Sequence, residues 1–147
     1  MFFVDTDSFA QTISSITGRI SIRVGNRYFP EKDWNDFPIF ILNWWATEVN
    51  DFLLESKKEI DLLFMDGPFG VRLTKENGTS KIRFVVKDVE EDVAVMDTDE
   101  LKKELLMSIR HTLSLCLEKC EVEGWQTDDT QKLSERYQTL CRMQIND

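Results

Sequence analysis

The stretch FPIFILNWWATEVNDFLLES, residues 37–56, decides how this chain folds, because it places two tryptophans in a run that begins almost wholly apolar and ends acidic. A membrane-spanning helix needs about 20 mostly apolar residues, whereas this run contains Asn43 and soon reaches Glu48 and Asp51. A helix lying in a membrane interface would carry lysine and arginine on its polar face, and this one carries carboxylates. The sequence therefore predicts an amphipathic helix that packs against protein and not against a membrane.

The apolar positions of this helix cover more than one face. Either Asn35 or Asp36 is predicted to cap it, and Pro38 suits the first turn, where its missing N–H costs nothing. The residues with the i, i+3, i+4, i+7 spacing of a helix face are Phe37, Phe40, Ile41, Trp44, Trp45, Phe52 and Leu53. Because the arc is wide, Trp44 and Trp45 are either both core residues or partly a contact for a partner.

Residues 9–16 and 19–24, upstream of the helix, predict a β-hairpin. The second run alternates apolar and polar side chains, which is the period of a half-buried strand. Thr17 and Gly18 between the two runs are a turn signal, and Gly25 marks a second turn.

A three-strand antiparallel meander, with one more strand suggested behind it, is predicted downstream of the helix. The runs that predict its strands are residues 60–65, 69–75 and 82–86. Asn77 and Gly78 between the last two runs are the strongest hairpin signal in the chain. Val93 and Val95 suggest one more strand, after residues 88–92.

Two helices are predicted at the end of the chain, which makes the fold α+β. Asp97 and Glu100 have the spacing of a capping box, and Gly124 ends the helix that follows. Its apolar stripe comprises Leu101, Leu105, Ile109, Leu113, Cys116 and Cys120. Thr127 or Asp128 caps the last helix, and its predicted inward residues are Leu133, Tyr137, Leu140 and Cys141. The expected architecture is antiparallel hairpins and a meander packed against one Trp-rich helix and two C-terminal helices.

The composition is that of a globular domain with a strong negative charge. A length of 147 residues favours a single domain, residues 1–147, whose ten Phe and four Trp supply a core without disulfides or metals. The 27 acidic and 18 basic residues give a net charge of −9. Such a surface repels nucleic acid and anionic lipid. It suits a cationic protein partner, or serves only solubility.

Cysteine use and the N-terminal sequence predict a cytoplasmic protein. The three cysteines, Cys116, Cys120 and Cys141, are odd in number and lie in helical sequence, which favours a reducing compartment over a disulfide framework. The first nine residues, MFFVDTDSF, have no basic n-region, so we expect no signal peptide.

Patterns for catalysis, cofactors or metals are weak in this sequence. His111, the one histidine, could join the three cysteines as a zinc site. However, it lies about 140° around the helix from Cys116, and structural zinc sites usually use short C-x₂₋₄-C loops. The sequence contains no nucleophile elbow, P-loop or dinucleotide-binding motif. It therefore predicts neither an enzyme nor a cofactor or metal, and a catalytic or metal centre around His111 is the least favoured alternative.

The densest charge in the chain lies between residues 88 and 100. Its carboxylates, uninterrupted by any basic residue, are Asp88, Glu90, Glu91, Asp92, Asp97, Asp99 and Glu100. Such a field steers a cationic partner and raises its association rate. Carboxylates are also favoured at a helix N-terminus and at a strand edge, which gives a purely structural alternative. We expect this segment to contact a cationic protein, with Trp34 and Trp125 as aromatic anchors.

Two stretches resemble a known group of proteins. They are GRISIRVGNRYFPEKDWNDFPIFILNWW, residues 18–45, and LLFMDGPFGVRL, residues 62–73. The G-x-I-x-I hairpin, FP-x-x-x-W-x-DF segment, Trp-containing helix and DGP turn resemble small bacterial proteins, many of them similar to immunity proteins of polymorphic toxin systems. Those immunity proteins are antitoxins that bind and block a toxin made by the same cell. The resemblance covers residues 18–73, with a weaker match in the helical tail.

The resemblance implies a protein that acts by binding alone, because its motifs are structural and bring no active site with them. Secreted nuclease toxins are usually basic, so an acidic antitoxin would dock quickly on its toxin and cover the active site. The alternative is a structural or regulatory module that forms a homodimer through surplus apolar helix surface. Salt separates the two, since it slows an electrostatic association and leaves an apolar one almost unchanged.

Overall fold

The computed structural model describes residues 1–13 and 15–144 and contains two antiparallel sheets and three helices. The first sheet comprises β1 (Phe2–Gln11), β2 (Ile16–Val24), β3 (Arg27–Phe29) and β4 (Asn35–Asp36). The second comprises β5 (Glu59–Leu63), β6 (Phe69–Glu76), β7 (Thr79–Val86) and β8 (Val89–Asp97). The helices are α1 (Pro38–Leu53), α2 (Thr98–Glu123) and α3 (Asp128–Cys141). The predicted α+β class, with one Trp-rich helix and two C-terminal helices, is confirmed.

The first sheet is larger than the sequence predicts. β1 begins at Phe2 rather than at residue 9 and pairs with β2 in an antiparallel hairpin. The other edge of β2 pairs with β3 along one half and with β4 along the other. Ser14, within the predicted run 9–16, lies outside the described residues.

The turn predicted at Thr17 and Gly18 is wrong, because both residues lie inside β2. The chain turns earlier, where the N–H of Thr12 donates to the carbonyl of Ser15 over 2.7 Å. Gly18 serves packing: a Cβ added to it would lie 2.2 Å from Cδ1 of Phe9. A glycine that forms a turn and a glycine that makes room for a neighbouring side chain cannot be distinguished in the sequence.

The second sheet is a meander of four strands in the order β5-β6-β7-β8, and β8 is the further strand that Val93 and Val95 suggest. The predicted hairpin at Asn77 and Gly78 is confirmed, with positive φ angles of 51° and 86°. A second tight turn at Lys87 and Asp88, with φ of 51° and 63°, joins β7 to β8. The last strand therefore begins earlier than predicted, at Val89.

Helix α1 begins at Pro38, as predicted, and its two tryptophans differ in solvent exposure. Trp45 is 0% exposed, and its indole N–H donates to the carbonyl of Leu63 over 2.8 Å. Its ring meets that of Phe64 edge-on, with centroids 5.2 Å apart. Trp44 is 44% exposed. One tryptophan therefore belongs to the core and the other to the surface.

The cap predicted for α1 is wrong, since its N-cap residue is Phe37 while Asn35 and Asp36 form β4. Asp36 is buried, and its carboxylate accepts three hydrogen bonds. The donors are the N–H of Phe37 at 2.8 Å, the indole of Trp34 at 3.0 Å and the N–H of Asp66 at 3.0 Å. Asp36 thus ties the W-x-DF segment to the DGP turn.

Helices α2 and α3 have the caps that the sequence predicts. The Asp97 side chain accepts from the N–H of Glu100 over 3.1 Å. Gly124 ends α2 in the left-handed conformation, with φ of 72°. Thr127 and Thr130 form a reciprocal capping box at the start of α3. Polar caps therefore fix both helix starts.

One continuous core draws on both sheets and all three helices. The predicted stripe of α2 is buried, as are Leu133 and Leu140 of α3, while Tyr137 packs half-buried against the core. The prediction that Cys141 faces inward is wrong, because it is exposed, about 100° around the helix from Leu140. None of the helices in the described chain is long and apolar enough to cross a membrane.

Candidate functional site

The acidic segment, residues 88–100, runs along the outer edge of the second sheet. β8 pairs with β7 on one side, and within residues 1–13 and 15–144 no strand pairs with its other side. Seven of its nine residues are exposed and none is buried. Because a sheet edge presents N–H and C=O groups that no strand pairs, the acidic side chains flank a row of backbone donors and acceptors. One of these donors, the N–H of Val93, is already bonded to Oδ1 of Asp92 over 2.9 Å.

Two local features shape the beginning of this edge. The tight β7–β8 turn carries Asp88 at its tip. The register with β7 then shifts between Phe84 and Val85, so that Glu91 is the extra residue of a β-bulge. A bulge bends an edge strand and increases its twist. The first third of β8 is therefore less regular than the rest.

β8 separates the seven carboxylates into two groups. The start group comprises Asp88, Glu90, Glu91 and Asp92. The end group comprises Asp97, Asp99 and Glu100. Since a strand rises about 3.3 Å per residue, the five residue steps from Asp92 to Asp97 set the groups roughly 17 Å apart. A partner that contacts both must extend along the strand.

Part of the start group is already ion-paired. Nη1 of Arg27 lies 2.6 Å from the carboxylate of Asp92, and Nε of Arg83 lies 3.8 Å from that of Glu90. Arg27 belongs to β3, so the first pair also joins the two sheets.

The other two members of the start group are Asp88 and Glu91. No basic side-chain nitrogen of the described residues lies within 4.0 Å of either carboxylate. The pKa of Arg72 is raised chiefly by Asp61 and to a smaller extent by Asp88, so Asp88 already has a cation at longer range. Glu91 is the more available of the two to an external cation.

The end group has a structural role of its own. Asp97 is the N-cap of α2, and Asp99 and Glu100 lie in its first turn. The helix dipole favours negative charge at that place. The structural alternative therefore explains the end group better than it explains Asp88 and Glu91.

The solvent face of the second sheet, beside β8, is rich in paired charges. Arg72 binds Asp61 over 2.8 Å, and Lys81 binds Glu76 over 3.0 Å. The hydrogen bond from Lys81, helped by the charge of Arg83, holds the pKa of Glu76 below its ordinary value. The cations of this face are thus engaged mainly by neighbouring carboxylates. Two of them also act on the start group: Arg83 pairs with Glu90, and the charge of Asp88 acts on Arg72 at longer range.

Trp34 lies on the same side of the molecule as the start group. Its ring meets that of Phe69 edge-on at 5.0 Å, and Phe69 pairs with Val86 at the end of β7. The carbonyl of Pro68 accepts from the N–H of Lys87 in the β7–β8 turn over 2.9 Å. Trp34 is half-buried, however, and its indole is bonded to Asp36, so only part of its ring is free to act as an anchor.

Trp125 is not brought to the acidic groups at the start of α2. It follows the last turn of that helix, where its N–H donates to the carbonyl of Cys120 over 2.8 Å. A helix of this length spans roughly 39 Å, which separates Trp125 from the end group. Trp125 also packs half-buried against the core.

The structure has an exposed aromatic patch, formed by Phe40, Trp44, Leu63 and Met65. The sequence left a partner contact at Trp44 and Trp45 open but did not indicate the other members of the patch. Phe40 and Trp44 are 38% and 44% exposed, and their rings meet edge-on with centroids 4.8 Å apart. A cleft of about 390 Å³ touches Phe40 and Met65, and another of about 510 Å³ touches Trp44 and Leu63. The sequence signal for this patch was the wide apolar arc of α1. The arc alone does not indicate which side of the helix the sheets cover.

The cysteines and the histidine do not assemble into a site. Burial raises the pKa of Cys120 to about 11, and burial together with the neighbouring Cys120 raises that of Cys116. Both thiols therefore stay protonated at neutral pH and pack as small apolar groups. His111 and Cys141 are exposed. Across the part of the chain that the structure describes, no cluster of His, Cys, Asp or Glu could hold a metal ion.

Comparisons with protein-family models, with curated proteins and with solved structures gave no match to this chain.

Proposed function

We propose that this chain is a non-catalytic, acidic binding protein of the cytoplasm that neutralises a cationic protein by covering it, as the immunity proteins it resembles do. The observation that carries the proposal is the exposed acidic segment along the open edge of β8. A toxin made by the same cell is the partner that the resemblance suggests.

The distribution of charge supports a cationic partner. The chain carries a net charge of −9, and the start group adds a local field at an edge where Asp88 and Glu91 are not already paired with described cations. Opposite charge raises association rates by roughly 10- to 1,000-fold. The same charge disfavours nucleic acid and anionic membranes as partners.

Occlusion fits the chemistry of the site. Covering a partner's active site makes and breaks no covalent bond, so it requires neither a catalytic residue nor a cofactor. A specific interface of standard size buries about 800 Å² on each partner. With nine residues at about 3.3 Å each, β8 carries the two acidic groups over a length of roughly 30 Å, which suits a patch of that scale.

Affinity capture from the native cells at low and at high salt tests the proposal. We expect one basic protein at low salt that is lost at high salt, because screening removes the charge attraction. That protein would then be tested for toxicity that this chain suppresses. Recovery of the bait alone at both salt concentrations would contradict a constitutive cationic partner.

Matched charge variants locate the contact. D88N/E90Q/E91Q and E118Q/E121Q/E135Q each remove three exposed carboxylates and raise the net charge from −9 to −6. We expect the first variant to associate with the captured partner about tenfold more slowly. The second should associate nearly as fast as the unchanged protein. Equal slowing in both variants would mean that net charge, and not the edge of β8, guides the partner.

The aromatic patch favours a second candidate function, a homodimer that serves as a structural or regulatory module. Phe40 and Trp44 expose apolar rings that a second copy could cover. Sedimentation at increasing salt separates this candidate from the first, since apolar self-association persists when charge is screened. A monomer at all salt concentrations and at high protein concentration would exclude it.

A further inference from the structure

β8 is an open sheet edge whose protecting features, charged side chains and a bulge, lie toward its two ends. Edge strands are commonly protected by charged side chains, especially lysine, by proline, by a bulge or by short length. β8 has nine residues with neither lysine nor proline, and its bulge at Glu91 lies toward one end. From Asp92 to Asp97 its register with β7 is continuous. Since a strand directs backbone groups alternately to its two edges, half of those in this stretch face outward.

The other edges of the two sheets are engaged or short. The N–H of Phe2 in β1 donates to Oγ of Ser108 in α2 over 2.8 Å. The carbonyl of Leu63 in β5 accepts from the indole of Trp45, and β3 has three residues. Within the described chain, β8 is therefore the edge that offers the longest exposed stretch of regular backbone.

We propose that a basic, extended segment of the partner adds to β8 as a fifth strand of the second sheet, an inference that rests on the proposed function and specifies how the partner is held. Val93 and Val95 are 44% and 63% exposed and lie between the start group and the end group. A strand added along residues 92–97 sets its central side chains beside these valines and its two ends beside the carboxylates. The matching segment has β-branched apolar residues at its centre and lysine or arginine toward both ends.

A second copy of this chain fits the edge poorly. Two β8 strands side by side would bring two sets of carboxylates to one edge, and like charges across paired strands are destabilising. The acidic groups thus disfavour pairing of β8 with β8 of a second copy and leave the edge open to a cationic strand.

A pair of synthetic peptides tests the proposal. The probe has the length of β8, with valine at its central positions and lysine at both ends. Its control is the same peptide with an N-methyl group on every backbone nitrogen. Methylation keeps the charges but removes the N–H donors that strand addition requires. The amides of Val95 and Asp97 face outward like that of Val93, which already donates to Asp92. At low salt we expect the probe to slow hydrogen exchange of the Val95 and Asp97 amides by about tenfold or more, and the control to bind at least about tenfold more weakly.

The other outcomes separate the two proposals. Equal binding of both peptides without protection in β8 overturns strand addition and leaves charge-guided docking standing. Protection in β1 or β5 instead of β8 overturns the choice of edge. If neither peptide binds at low salt, strand addition and the proposed function both fail. Weaker probe binding by D88N/E90Q/E91Q than by E118Q/E121Q/E135Q ties the peptide to the start group.

Discussion

At the scale of single residues, Asp36 holds together the two motifs that carry the resemblance. Replacing it with alanine leaves the donors of Phe37, Trp34 and Asp66 without their acceptor. Because each hydrogen bond to a charged group contributes about 1.5–3 kcal/mol, we expect Asp36→Ala to lower the free energy of unfolding by about 3 kcal/mol or more. Urea denaturation measures this. The exposed neighbour Asp33, changed to alanine, should alter it by less than about 0.5 kcal/mol.

The sequence does not predict which of Trp44 and Trp45 is buried. Both lie on an apolar arc, and the position of the second sheet, which sequence periodicity does not contain, decides which one is covered. We expect Trp45→Ala to cost about 4 kcal/mol of unfolding free energy, as large truncations in a core do. Trp44→Ala should cost less than about 1.5 kcal/mol, since nearly half of its surface is already in water. Equal costs in thermal or urea denaturation would contradict this placement.

Glu76 gives a prediction for pH. Lys81 holds its pKa down in the folded state, so its contribution to stability is present above the ordinary pKa and is lost as the pH falls through the lowered one. We expect Lys81→Gln to raise the pKa of Glu76 toward its ordinary value. Carbon-13 NMR titration of the carboxyl group measures the change, and Lys87→Gln, at the far end of β7, should leave it unaltered.

At the scale of elements, sequence patterns predicted α2, α3 and the Asn77–Gly78 hairpin because caps and glycine turns act locally. Helix α1 was predicted from its apolar periodicity and Pro38, whereas its predicted cap was wrong. The turn at Lys87 and Asp88 was not predicted, because both residues adopt positive φ angles although neither is glycine. The turn assigned to Gly18 failed for the opposite reason, since that glycine makes room for the ring of Phe9. Such errors arise wherever a residue type serves packing rather than local conformation.

The end of α2 depends on one glycine. Gly124 has a φ of 72°, and a Cβ added there meets no atom within 4 Å, so an alanine would suffer from backbone conformation alone. We expect Gly124→Ala to lower the free energy of unfolding by about 1 kcal/mol. Gly124→Asn should lose less, because asparagine tolerates the left-handed region better. Urea denaturation of the two variants compares them, and no loss in the alanine variant would refute the strained-backbone explanation.

At the scale of the whole molecule, the sequence predicted the acidic segment but not its geometry. Counting carboxylates between residues 88 and 100 treats them as one cluster, whereas the length of β8 divides them into two groups. Arg27, which pairs with Asp92, is 65 residues away in sequence, so no local pattern predicts that pair. Arg83 reaches Glu90 across the β7–β8 turn, which the sequence did not predict. The open sheet edge and the aromatic patch likewise exist only after the sheets have assembled.

The contrasting neighbours Trp44 and Trp45 also supply two optical reporters within one helical turn. With Trp34 and Trp125 changed to phenylalanine, the remaining emission divides into a blue-shifted component from the enclosed indole and a red-shifted one from the solvated indole. Acrylamide quenches the solvated component selectively, so loss of quenching would register any molecule that covers the aromatic patch. The enclosed component would register unfolding in the same cuvette. Occupancy and integrity of the fold can thus be followed together without an attached label.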